Sequence, residues 1–295
     1  MKKTVKKLIR KILVFITLFI TVLPWQYFLL LRPVNAGSKT ITTSLDFKNG
    51  YFENTETDSK QGEIKLKPDG DWGPRAFKTP DVTLSNQSAI ATDGENIYVL
   101  PSNDNWFGRY LPKENRWQRL ANSPKFPYPG AQLVYLNGYL YAVFGGYQKE
   151  FYRYSIALNQ WFKMANLPDL VYDGTSCTTD GTNIYCLRGI SSQDFWMYNV
   201  SSNSWSVKAS TPAAIYYGAG LVYYSGNLYA LQGNSSTLYR YNISSNIWYT
   251  TTTGGAALAS APVSFSNNHT ITIRNNEIFV ARDGNTQDFY KYNIT

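Results

Sequence analysis

The chain has 295 residues, 28 of them Lys or Arg against 20 Asp or Glu, and 16% of them aromatic. Seven of the basic residues (Lys2, Lys3, Lys6, Lys7, Arg10, Lys11 and Arg32) fall within residues 1–36, which hold no acid. The remainder, with 21 basic and 20 acidic residues, is about neutral and offers no basic stripe for nucleic acid. A single histidine, His269, excludes a histidine-pair metal site, and leaves a Ser-His-Asp or Cys-His relay no other histidine to draw on.

The first element is an N-terminal hydrophobic helix. A basic stretch, MKKTVKKLIRK, precedes the apolar residues 12–31, and Val34-Asn35-Ala36 is a small-residue cleavage site. This is the pattern of a secretory signal, and 20 apolar residues also suffice to span a bilayer as a retained anchor. Both readings place the rest of the chain outside the cytoplasm, secreted or attached to the membrane through residues 12–31. Residues 37–71 form a β-rich spacer, with two strands expected around a polar turn in LDFKNGYFENTETDSKQGEIKL.

From residue 72 onward the chain repeats. Pro80, Pro124, Pro168 and Pro212 are 44 residues apart, and so are Trp117, Trp161 and Trp205, with Trp248 following after 43. Tyr110, Tyr154, Tyr198 and Tyr241 keep the same steps. Each copy starts with an apolar run, a turn dipeptide (Asp93-Gly94, Asn137-Gly138, Asp180-Gly181, Ser225-Gly226) and a second apolar run. Asn-Gly between alternating apolar residues marks a tight hairpin, because both central positions need positive φ. An aromatic strand and a Trp strand complete four strands per unit, the size of a propeller blade.

The last copy, residues 262–295, carries Phe289 and Tyr292 but stops before its Trp strand. Asp71–Pro80 reads as a fourth strand without the first three, and its Thr79-Pro80 matches Thr211-Pro212. Lending that strand to the last blade would remove an exposed sheet edge. The expectation is therefore an all-β propeller of five four-stranded blades over residues 72–295.

Cys177 and Cys186 flank one turn. Counting outward through the pairs 180:183, 179:184 and 178:185 sets them opposite each other. Cross-strand neighbours in an exported protein are expected to form a disulfide; two small buried thiols are the alternative.

The Gly pair after the second strand, then a Tyr, six residues and a Trp, resembles the motif of kelch-repeat propellers. Gly145-Gly146, Tyr154 and Trp161 match it fully, whereas other copies weaken the glycines to Arg188-Gly189 and Gln232-Gly233. The resemblance implies a propeller but not the chemistry of galactose oxidase, whose copper needs two histidines. Sialidase-type Asp boxes are absent as well. No catalytic residue, cofactor or metal ligand is expected.

Function is expected where the copies differ. In propellers, the loops after the second strands and the loops leading into each blade share one face. Tyr128, Tyr172 and Tyr216, 44 residues apart, lie on the lead-in loops. They either ring the channel mouth or wedge between blades. With Trp106, Tyr147, Glu150, Asp173, Asp194, Arg282 and Asp288 they are the candidate ligand-binding set. Tyrosine suits recognition because it offers a large rigid surface with a polar tip. The expected function is an extracellular or cell-surface recognition module for a protein or glycan. A metal-free carbohydrate-active enzyme, such as a sugar epimerase, and a structural envelope component are the alternatives.

Overall fold

The computed structural model describes residues 55–58, 63–66, 88–250, 258–265, 270–282 and 288–294. The hydrophobic N-terminal helix and the fourth-strand donor expected at Asp71–Pro80 from the sequence both fall outside the described residues. The chain divides into two compact units, Met1–Gly73 and Pro74–Thr295. Within the first, β1 (Thr55–Asp58) and β2 (Glu63–Leu66) pair as an antiparallel hairpin, Thr55 opposite Leu66.

The second unit is a five-bladed β-propeller. Blade 1 consists of β3 (Ala89–Thr92), β4 (Ile97–Leu100), β5 (Gly108–Leu111) and β6 (Arg116–Arg119). Blade 2 consists of β7 (Ala131–Leu136), β8 (Tyr139–Phe144), β9 (Phe151–Ser155) and β10 (Gln160–Lys163). Blade 3 consists of β11 (Ser176–Thr179), β12 (Asn183–Leu187), β13 (Phe195–Asn199) and β14 (Ser204–Val207). Blade 4 consists of β15 (Gly220–Tyr224), β16 (Asn227–Leu231), β17 (Leu238–Asn242) and β18 (Ile247–Tyr249). Blade 5 has three described strands, β19 (Thr270–Arg274), β20 (Glu277–Ala281) and β21 (Phe289–Asn293). Every sheet is an antiparallel meander, and the first strands of successive blades neighbour one another, which makes them the inner strands.

The hairpins follow from local chemistry. Asn137 (φ 49°) and Gly138 (φ 81°) take the two positive-φ positions between β7 and β8. Between β11 and β12 the carboxylate of Asp180 instead accepts the backbone N–H groups of Thr182 and Asn183. Cys177 pairs with Cys186 across those two strands, and a disulfide joins them.

The period of 44 is written into a contact that recurs at three blade junctions. In the turn between β9 and β10, Asn159 (φ 51°) accepts a hydrogen bond from Tyr154 Oη at 2.6 Å and from the backbone N–H of Ala121 in the preceding blade at 2.8 Å. Trp161 donates its indole N–H to the carbonyl of the same Ala121 at 3.0 Å. Asn203, Tyr198 and Trp205 hold Ala165 in the same way, and Asn246, Tyr241 and Trp248 hold Ala209. Asparagine is suited to the position because it tolerates the left-handed backbone and supplies the acceptor.

Beneath each clamp an aromatic wedge fills the junction. Phe107 meets Tyr154 and Trp161 with ring centroids 4.9 and 5.0 Å apart. Phe151 meets Tyr198 and Trp205, and Phe195 meets Tyr241 and Trp248, at 4.8–5.1 Å. The corresponding residue of blade 5, Phe289, is 66% exposed.

Candidate functional site

The loops on one face of the propeller are tied together by backbone bridges between blades. Gln148 pairs with Val171, Ser192 with Ile215 and Ser235 with Phe265. Each bridge joins the loop after one blade's second strand to the lead-in loop of the next. The chain achieves this by turning through left-handed conformations: Gly145, Gly146 and Tyr147 have φ of 65°, 58° and 58°, and Gly189, Ile190 and Ser191 have 71°, 53° and 56°. Non-glycine residues hold such angles only where the surroundings fix them. Here Tyr147 N–H donates to Val171 O at 2.8 Å and Ser191 N–H to Ile215 O at 3.0 Å.

The repeated tyrosines contribute to this scaffold through their main chain. A side chain at Gly130 would strike the carbonyl of Tyr172, and one at Gly174 the carbonyl of Tyr216, which is why glycine recurs there. The same carbonyls accept the N–H groups of Thr175 and Ala219. Tyr172 and Tyr216 are half-buried, and Tyr128 is 40% exposed, its ring lying over Gly146.

At the junction of blades 2 and 3 the rings form a shelf. Tyr147, 54% exposed, stacks on Tyr172 with centroids 4.4 Å apart and planes 14° from parallel. The Tyr172 hydroxyl is pushed up by desolvation and then by its neighbours Asp173, Tyr147 and Tyr217. Tyr217, 52% exposed, lies next in the chain to Tyr216 and within electrostatic reach of the Tyr172 hydroxyl. Asp173 is half-buried, and its carboxylate has no hydrogen-bond or ion-pair partner among the described residues. Burial without compensating donors raises its carboxyl above the usual carboxylate range.

Other candidates are engaged in ion pairs. Glu150 pairs with Lys125 at 2.6 Å, an interaction that holds its carboxyl below the ordinary value. Asp194 pairs with Arg188 at 2.8 Å, and Asp288 with Arg282 at 2.9 Å. Trp106 requires a correction. It is 3% exposed and is not part of a contact surface. Its ring occupies the space that a side chain at Gly108 would take, and it meets Trp117 edge-on at 6.1 Å. Blades 3 and 4 place Trp196 and Tyr239 at the position of Gly108, each edge-on to its own Trp at 6.5 and 6.4 Å. Trp106 supplies from two residues upstream the aromatic ring that blade 1 lacks.

Sequence reasoning missed Tyr217. Only its neighbour Tyr216 keeps the period, and the positions after the three repeated tyrosines are Pro129, Asp173 and Tyr217. That divergence was the available signal. Among the described residues, no group of three or more His, Cys, Asp or Glu is placed to hold a metal ion.

No protein-family model matches the chain, and no curated protein matches it. Among solved structures it is similar to the structure of YjhT, with a TM-score of 0.55 at 14% identity, covering 70% of this chain and 75% of that one. At that identity the likeness is one of fold alone.

Proposed function

We propose that this protein is an exported recognition module that binds saccharide through the loop face of its propeller. The observation that carries the reading is the Tyr147–Tyr172 shelf beside the unpartnered carboxylate of Asp173. Flat aromatic faces pack against the apolar face of a pyranose, and a carboxylate without donors of its own accepts hydrogen bonds from ring substituents. The surrounding loops are braced by bridges between blades, so the shelf is pre-organised and little ordering entropy is lost on binding. The basic and apolar N-terminus supports export. The recurring Gly, Tyr and Trp positions support a kelch-like lineage, with the full glycine pair kept in blade 2.

The test is a glycan-array screen of the purified protein against a Tyr147→Ala/Tyr172→Ala variant matched for thermal stability. Binding that the variant loses supports the reading. Binding that it keeps moves the site away from the shelf, and an array without any binding removes saccharide as the ligand.

A further inference from the structure

We propose that the loop face selects a cationic amino sugar over neutral and acidic ones, with Asp173 as the discriminating residue. The inference rests on the saccharide reading above and adds the charge of the ligand. Three cations sit in the loops around the shelf, and each is already engaged. Lys125 pairs with Glu150 at 2.6 Å and Lys149 with Asp169 at 3.2 Å. Arg188 pairs with Asp169 at 2.7 Å and Asp194 at 2.8 Å, and it donates to the backbone carbonyl of Leu170 at 3.0 Å. An acidic ligand would find none of these free and would have to displace an ion pair to gain one.

The carboxylate of Asp173 is in the opposite situation. It is half-buried beside Tyr172, with no donor and no cation among the described residues. A protonated amine placed against it would supply the missing donor as a charge-assisted hydrogen bond. The exposed rings of Tyr147 and Tyr217 add faces that attract a cation. A uronic or sialic carboxylate at the same place would meet a like charge in a partly desolvated site. That is discrimination by repulsion as much as by attraction.

The experiment is calorimetric titration of the protein with three oligosaccharides of equal length: a glucosamine oligomer, its N-acetylated neutral counterpart and a galacturonate oligomer. The glucosamine oligomer is expected to bind about tenfold or more tighter than the neutral one, the order of a single charged hydrogen bond, and the acidic oligomer weakest. Asp173→Asn should close the gap between the amino and neutral oligomers even where it weakens the binding of both, and Asp173→Ser should close it by a different side chain. A galacturonate oligomer that binds as well as the others, or a ranking unchanged in both variants, overturns the charge selection and leaves the saccharide reading standing. No binding by any of the three overturns both.

Discussion

Two sets of contacts hold neighbouring blades together, and they obey opposite rules. The clamp built from Asn159, Tyr154 and Trp161 recurs with the same residue types at two further junctions, with distances between 2.6 and 3.0 Å. The loop face joins blade 2 to 3, 3 to 4 and 4 to 5, but through backbone bridges, and apart from the recurring Tyr128, Tyr172 and Tyr216 its side chains change from copy to copy. A contact made by side chains fixes the sequence. A contact made by backbone frees it. The propeller thus has one region where variation is costly and another where it is tolerated, and the candidate site stands in the second.

The comparison can be broken most severely at alkaline pH. Burial pushes the phenols of Tyr154, Tyr198 and Tyr241 up to about 12, and each donates its proton to a clamp asparagine. In the unfolded chain they ionise near 10. Between those values the folded state binds more protons than the unfolded one, so stability falls as pH rises through the window. Cooperative unfolding before pH 12, followed by circular dichroism, is the expected result. A propeller that keeps its near-ultraviolet signal at pH 12 would show that the clamps contribute little.

Next in size is Trp205→Ala, which removes a large inter-blade side chain and the hydrogen bond to Ala165, at an expected cost of about 3–5 kcal/mol in urea unfolding. A smaller effect still is expected from Asn203→Ala, about 1–3 kcal/mol, because it strips the acceptor from Tyr198 and Ala165 and places alanine at φ 48°. Asn203→Gly relieves the backbone and isolates the hydrogen-bond part.

The scaffold was legible in the sequence because it repeats: Tyr and Trp at steps of 43 or 44 residues mark the blade, and the turn dipeptides mark its first hairpin. The clamp asparagines kept the same period but stood in polar turns where asparagine is common, so their role became visible only through the partners they hold across junctions. The site was half legible. Loop variation marks Tyr147 and Asp173 and the 44-residue recurrence marks Tyr172, and the stacking of the two rings depends on a left-handed turn at Tyr147 that no local pattern specifies. Trp106 went astray because a tryptophan in a variable loop resembles a binding residue. Its ring goes inward only because Gly108, two residues later, leaves room.

The smallest expected change in stability has the most to say, because its sign is opposite. Clamp substitutions destabilise. Asp173→Asn should raise the melting temperature slightly at neutral pH. The Asp173 carboxyl is raised by desolvation, so its ionised form carries a penalty in the folded state that the unfolded chain does not bear. That penalty is present above the raised value and fades as pH falls through it, so the variant's advantage should shrink toward acid. A residue that serves packing is not expected to stabilise the protein when its charge is removed; a residue held ready for a ligand is. Matched melting curves of the protein and Asp173→Asn at neutral and acid pH decide the matter. A variant less stable than the parent at neutral pH would return Asp173 to the scaffold and leave the tyrosine shelf without its polar partner.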